Sequence, residues 1–340
     1  MTGPSVSILI PAFNAQGFIA DTLRSALAQT WQEKEIIVVD DGSTDRTVDI
    51  ARQFESDRVR VVTQNNQGAA AARNTAYSLS RGDYIQWLDA DDLISPNKIA
   101  DQMEAAKTCR SSRTLLSSGW AYFMYRPSRA KFTPTPLWQN LSPAEWLIHK
   151  MGENLHMQTA TWLVSRELTA AAGPWNTKLL GDDDGEYFCR VLLASNGVHF
   201  VPGAKVYYRM AGTGSLSYIG RSDRKLDAQW DSMKLHIGYL RSLEDSARVR
   251  TACVQYLQNY FINFFPERTD LVEQARSAAA SLGGQLELPR LSWKYSWIKT
   301  LFGWPLAKRA RLYLPNVRWS VKRYWDKTLY RMEGSQVMSS

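Results

Sequence analysis

Asp89-Ala90-Asp91-Asp92 places three carboxylates directly after a hydrophobic run, where they are not core material. An Asp-x-Asp in that position suits a hard divalent cation. Mg2+ and Mn2+ prefer oxygen ligands and take only one or two protein carboxylates, leaving phosphates and water to fill the shell. Such a cation neutralises the charge that develops on a diphosphate leaving group. Two more acidic clusters accompany it, Asp40-Asp41 and Asp182-Asp183-Asp184. Both also have a plain structural reading: carboxylates beside a helix N-terminus cap it, or favour its dipole by about 0.3–1 kcal/mol each. Asp-x-Asp is frequent by chance, so its meaning depends on the elements that carry it.

Strand and helix patterns alternate up to about residue 93. Val6–Ile10 reads as a strand, followed by a helical stripe of Phe18, Ile19, Leu23, Ala26 and Leu27. Glu35–Val39 is a second strand, apolar throughout Ile36–Val39, as expected when helices cover both faces of a parallel sheet. Ser43 or Thr44 is positioned to cap a helix bearing Val48, Ile50, Ala51 and Phe54. Val59–Thr63, an alanine-rich helix over Gly68–Ser80, and Tyr84–Leu88 complete the series. These repeats imply an α/β fold with a doubly wound, mostly parallel sheet, which binds ligands at the carboxyl ends of its strands. Asp40-Asp41 and Asp89–Asp92 both fall at such ends.

Further on, Pro96 opens a helix through Lys107, and Leu115–Met124 is strand-like but interrupted by Gly119. Residues 126–137 form a proline-punctuated loop, and Ser142-Pro143-Ala144-Glu145 is a capping box that starts a helix through Met151. Thr161–Ser165, Val198–Val201 and Lys205–Arg209 read as strands, Tyr187–Ala194 as a helix, and the chain beyond about 222 as helical. The expected division is a catalytic unit over 1–220, with its halves meeting near 95, and a helical extension over 221–340. Cys109, Cys189 and Cys253 have no pairing or metal-ligand spacing, and the four histidines make no zinc pattern. No leader or bilayer-spanning run is expected, so the chain reads as cytoplasmic, peripheral to the inner face of the cell membrane.

Taken in order, these segments resemble the family 2 glycosyltransferases of GT-A fold over residues 5–217. Ser7–Asn14 is similar to the family's opening strand and its Pro-x-aromatic-Asn turn. Ile36-Ile37-Val38-Val39-Asp40-Asp41-Gly42-Ser43-Thr44-Asp45 resembles its nucleotide-binding segment almost letter for letter. Gly68, Ala72-Arg73-Asn74 and Gly82–Ile85 lead into Leu88–Asp92 with family spacing, and Val206–Arg209 with Ser215-Leu216-Ser217 is similar to the closing segment. The family's frequent histidine near Met210 is absent.

The resemblance implies transfer of a sugar from a nucleotide-diphosphate donor, a UDP-sugar by preference, to a sugar or lipid-linked acceptor. The reaction would invert the anomeric centre, use Mg2+ or Mn2+, and serve polysaccharide or glycolipid assembly. On the donor side it implies Pro11, Phe13 and Asn14 at the nucleobase pocket, Asp40 and Asp41 with Asp41 on the base, Arg73 near phosphate or sugar oxygens, and Asp89 on the donor's sugar or ribose. Asp91 would hold the metal, while Asp92 either assists or caps the next helix. Aligning on Arg190 makes Asp184 the base, with Asp183 its competitor and Asp182 a cap. Asp183 stands where the family has Glu, and Gly185 where a bulkier residue is common. Trp120, Trp162 and Trp175 could stack on sugars, though such residues are more often core. The competing readings are a nucleotidyltransferase, for which Asn14-Ala15-Gln16-Gly17 is a poor phosphate loop, and an inactive sugar-binding scaffold.

The net charge of +8 is concentrated at the end: residues 291–340 hold ten Lys/Arg against two Asp/Glu, leaving 31 of each sign before them. Trp293, Trp297, Trp304, Trp319 and Trp325 lie among those charges. A helical wheel gathers Val317, Val321, Tyr324, Trp325, Thr328, Leu329 and Met332 opposite Lys322, Arg323, Asp326 and Lys327. An anionic membrane surface is the first reading and a helix packed on the domain the second. Nucleic acid is not expected, because no reading motif accompanies the charge.

Overall fold

The computed structural model describes residues 3–210 and 222–337, without the side chains of 312–321, 331 and 333–337; Ser215-Leu216-Ser217 and the side chains of Val317, Trp319 and Val321 lie outside the described residues. The elements run β1 (Val6–Ala12), α1 (Ile19–Leu27), β2 (Lys34–Asp40), α2 (Thr47–Arg52), β3 (Val59–Thr63), α3 (Ala69–Leu79), β4 (Tyr84–Trp87), β5 (Leu93–Ile94), α4 (Lys98–Thr108) and β6 (Thr114–Phe123). They continue with α5 (Pro143–Gly152), β7 (Val164–Ser165), α6 (Arg166–Ala172), α7 (Asp183–Ala194), β8 (Gly197–Arg209), α8 (Asp223–Leu243), α9 (Ala247–Phe264), α10 (Thr269–Ser281) and α11 (Trp293–Val337).

The main sheet has the order β3-β2-β1-β4-β7, parallel except for β7. Its register sets Ala12 beside Asp40 and Leu9 beside Trp87, so Phe13, Asp41 and Asp89 emerge together at the carboxyl edge. That edge is where the sequence places its two strand-end clusters. A second sheet, β5-β8-β6, pairs Leu93 with Tyr207 and so carries Arg209 back to Asp92. The β6–β8 register shifts at Ser118/Gly119, which is the structural meaning of the glycine interruption.

Strand alternation divides the core. Ile8, Ile10, Ile36 and Val38 pack with α1, α2 and α4, whereas Leu9, Ile37, Val39 and Trp87 face α3 and α5–α10. The helices beyond residue 222 therefore share one core with the sheet: Trp230, Met233, Phe261 and Phe264 belong to the same buried cluster as Trp87 and Tyr187.

The structure differs from the sequence expectation in several places. Ser43 and Thr44 do not cap α2, which starts at Thr47. Their groups are spent on the neighbouring loop, where Asn14 N–H donates to Ser43 Oγ (2.9 Å) and Thr44 N–H to Asn14 Oδ1 (2.9 Å). Val198–Val201 and Lys205–Arg209 join into the single strand β8, while Thr161–Ser165 contracts to β7 after a short 3-10 turn. β5 and α6 were not expected; each is too short to show a period. The capping box at Ser142 is present as read.

A shared core predicts shared stability. Phe264→Ala should cost about 3–5 kcal/mol, measured by urea unfolding, and hydrogen exchange of the β1 amides should accelerate together with that of α9. Unchanged β1 exchange would mean that the extension folds as a separate unit.

Candidate active site

At the carboxyl edge of the main sheet, the β1–α1 and β2–α2 loops are stitched together. Besides the Asn14 bonds, Ala15 N–H donates to Thr47 Oγ1 (2.7 Å) and Gln16 N–H to Asp45 Oδ2 (3.1 Å). Pro11 is buried in β1, and Phe13 is 49% exposed where the strand ends. Asp40 is buried and accepts both the backbone N–H (2.9 Å) and the hydroxyl of Ser43, so it closes a turn. Gly42 sits in that turn at φ +75°, a conformation that suits glycine. Asp41 is buried as well. Its carboxylate accepts Gln64 Nε2 (2.8 Å), Gln67 N–H (2.9 Å) and Gly68 N–H (2.7 Å), which orders the loop leading into α3.

Arg73 comes from the first half of α3 and points at two carboxylates far apart in sequence. Nη2 donates to Asp89 Oδ1 at 2.8 Å and Nη1 to Asp183 Oδ2 at 2.9 Å. Its guanidinium lies 4.4 Å from the Trp175 ring centre. Trp175 stacks on Tyr187 at 4.0 Å and meets Trp87 edge-on at 5.2 Å. Burial opposes the charge, but Asp89 and Asp183 keep the Arg73 pKa above its ordinary value.

Asp91 is pushed up to about 6 by burial and by Asp89, with Arg209 opposing. Asp92 is fully buried: Oδ1 accepts Arg209 N–H (2.8 Å), whereas Oδ2 has no partner. It does not cap a helix, because β5 intervenes and α4 begins only at Lys98. Arg209 completes this corner, donating from Nε to the Asp91 carbonyl (2.7 Å) and from Nη1 to the Met124 carbonyl (3.1 Å), between Phe18 and Phe123. Among the described residues no three His, Cys, Asp or Glu side chains converge on a metal-sized point. The oxygen donors of Asp89 and Asp91 nevertheless fit a cation that draws its other ligands from phosphate and water, and crowding of two carboxylates is what such an ion relieves.

The third cluster opens α7. Asp182 occupies the N-cap position in the left-handed region (φ 57°), but its side chain makes no cap hydrogen bond; instead Oδ2 lies 3.8 Å from His236 Nδ1. This corrects the expectation of a simple cap: the carboxylate turns back toward α8. A Cβ at residue 185 would lie 2.2 Å from Asp182 Oδ1, so a larger residue there would require the Asp182 carboxylate to turn aside. Asp183 is committed to Arg73. Asp184 is held more loosely, by its neighbour Gly185 N–H (2.9 Å) and by Thr159 Oγ1 (3.5 Å). Burial and Asp182 raise its pKa. A cavity of about 30 Å3 beside it is lined by Trp146, Lys150, His156 and Trp162.

Several residues here were missed from sequence. Ser232, His236 and Tyr239 fall at i, i+4 and i+7 on one face of α8, behind residues 181–186. Ser232 Oγ reaches the Gly181 carbonyl (3.5 Å), and Tyr239 OH donates to Glu186 Oε1 (2.8 Å). Glu186 also pairs with Arg190, whose Nη2 reaches the Pro174 carbonyl (2.8 Å). His236 is pushed down to about 3, chiefly by burial. Burial would lower Lys150, but Asp182 raises it. The detectable signal was polar residues at helical spacing on an amphipathic helix. Of the candidate sugar-stacking tryptophans, Trp162 and Trp175 are core, while Trp120 is half-buried against Tyr122 and His156.

Comparison with known sequences bears on the family. Residues 7–140 match Glycosyl transferase family 2. The chain carries a family 2 glycosyltransferase domain. A relative from Escherichia coli, UDP-Glc:alpha-D-GlcNAc-diphosphoundecaprenol beta-1,3-glucosyltransferase WfaP, is 42% identical over 104 residues, 30% of this chain and 41% of its own. The chain spans no more than about half the length of comparable bacterial relatives. Among solved structures, S. aureus TarS 1–349 in complex with UDP-GlcNAc aligns with a TM-score of 0.63 at 17% identity, over 91% of this chain and 82% of that one. A mannosyltransferase from Pyrobaculum calidifontis, in complex with GDP-Man and Mn2+, aligns at 0.51 and 17% over 96% and 88%. The chain thus has the GT-A architecture.

The Gly185 geometry gives a direct test. Gly185→Ala should change stability by less than about 1 kcal/mol in thermal unfolding, because the Asp182 carboxylate is the free end of a side chain and alanine favours the helix. A larger loss that is recovered on adding Asp182→Gly would mean that the carboxylate cannot turn aside.

Proposed function

We propose that the chain transfers a sugar from a nucleoside-diphosphate donor to a hydroxyl of a glycan or lipid-linked acceptor, with inversion, in bacterial surface-polysaccharide assembly. The observation that carries this reading is the Arg73 bridge between Asp89 and Asp183, which joins the strand-end carboxylates to the α7 carboxylates in one cleft. In this reading residues 1–220 are the catalytic unit, and α8 of the 221–340 extension braces the α7 end.

On the donor side, Phe13, Asn14 and the backbone at Pro11 border the nucleobase. Asp41 carries three donors on two oxygens, which leaves an acceptor position for a base N–H, as a uracil offers. Asp40 acts through the turn it closes. Arg73 and Asp89 address the donor's phosphate and sugar oxygens. Asp91 would hold a Mg2+ or Mn2+ ion, with Asp92 anchoring that loop to β8; the ion supplies charge neutralisation at the departing diphosphate.

Asp184 is the proposed base. It takes the proton of the acceptor hydroxyl as that oxygen bonds to the anomeric carbon, on the side opposite the breaking bond to diphosphate, and the nucleoside diphosphate departs. Asp183 suits this task less well, because its carboxylate is held by Arg73. Support from relatives is by similarity: WfaP is named for a UDP-glucose donor and a diphosphoundecaprenol acceptor.

Asp184→Asn should lower kcat by about 10^2–10^4, while calorimetry finds donor affinity within about threefold of wild type. Activity retained in this variant moves the base to Asp183. Since burial and Asp182 raise the Asp184 pKa, and the base works deprotonated, the rate should fall as pH drops through a value above the ordinary ~3.9 of aspartate. An acid limb at or below that value would count against the assignment. Release of nucleoside diphosphate across a panel of sugar nucleotides should stop with EDTA and return with Mn2+; turnover that persists in EDTA would remove the cation from the proposal.

A further inference from the structure

Polar side chains of the last helix meet the body together with a few small or partly buried apolar ones. α11 is broken at Gly303 (φ 80°, ψ 174°), and polar groups fasten both of its parts to the body. Lys308 Nζ donates to the Asn263 and Phe265 carbonyls (2.8 and 3.0 Å) and to Glu267 Oε2 (2.7 Å). Asp326 accepts Tyr125 N–H (2.9 Å) and Arg126 Nε (2.7 Å), and Trp304 packs edge-on against Phe265. Ala307 and Ile298 are the buried apolar contacts.

The large apolar side chains point the other way. Trp293, Trp297 and Leu301 form an i, i+4, i+8 stripe that is 80, 56 and 68% exposed, with Phe302 at 60% beside it. Beyond the break, Tyr324, Trp325 and Met332 are 71, 61 and 61% exposed. A helix that merely packed on the domain would turn such a stripe to the core. Lys294 and Lys299 are exposed before the break and Arg309 and Arg311 after it, and Asp326, one of only two acids after residue 290, is neutralised by Arg126.

We propose that this face of α11 seats on the surface of a bilayer rich in anionic lipid, its Trp, Phe and Leu side chains in the headgroup–acyl boundary and its Lys and Arg side chains at the lipid phosphates. Exposed basic and aromatic side chains on the same helix are satisfied together by lipid. A second copy of the chain would bring two strongly basic faces together, and a nucleic acid would leave the apolar stripe in water. Among the described residues no helix is long and apolar enough to cross a membrane, so the contact is a surface one. This inference is independent of the transfer reaction.

The test is co-sedimentation of the full chain with phosphatidylcholine vesicles, with and without about 30% phosphatidylglycerol. Binding to the anionic vesicles, weakened by salt and at least about tenfold poorer in a Trp293→Ser/Trp297→Ser/Trp325→Ser variant, is expected. The three side chains are exposed, so the variant should keep the wild-type circular dichroism and nucleotide affinity. The proposal is overturned if wild type stays in the supernatant, or if the variant binds equally well. It is also overturned if the substitutions abolish a dimer in a chain that never binds vesicles.

Discussion

One buried guanidinium holds the cleft together. Arg73 is fixed beneath by the face of Trp175 and reaches Asp89 on one side and Asp183 on the other, residues that the chain brings together across 16 and 110 positions. Removing the cation would leave two carboxylates facing each other in a partly desolvated space, which is why breaking one member of such a group costs far more than the group's net worth. The same contact fixes the distance between the end of β4 and the start of α7. Reaction geometry that depends on both ends is thereby set before any ligand arrives.

The rest of the cleft follows the same electrostatic logic. Burial raises Asp91, Asp92, Asp182 and Asp184 alike, so each carboxylate gains from a cation nearby. Arg209 serves the Asp91–Asp92 corner, and Lys150 lies by Asp182. Both come from parts of the chain distant from the clusters they serve. The helices after residue 222 matter for this reason as much as for their core: they close the back of the acidic α7 segment with a neutral histidine and a tyrosine hydroxyl, adding no further negative charge.

What could be read from sequence was what the local chain dictates. Ile36–Val39 announces a strand covered on both faces, and the parallel register then obliges Phe13, Asp41 and Asp89 to share an edge. Ser142 and Glu145 form their capping box with no help from elsewhere. Ser43 and Thr44 were misjudged because a better partner, Asn14, is supplied by another loop. Arg209, Lys150 and His236 acquire their meaning only from tertiary neighbours, which no period or motif encodes. Which part of α11 meets the body is decided by Arg126 and Tyr125, two hundred residues earlier, and no helical wheel contains that information.

The left-handed Asp182 and the bare Gly185 share one small space. With a carboxylate oxygen where a 185 side chain would begin, a larger residue there would oblige the Asp182 carboxylate to turn away from its approach to His236. The bare glycine therefore does for the carboxylate what a cavity does for a ligand: it leaves a place for it to rest against α8.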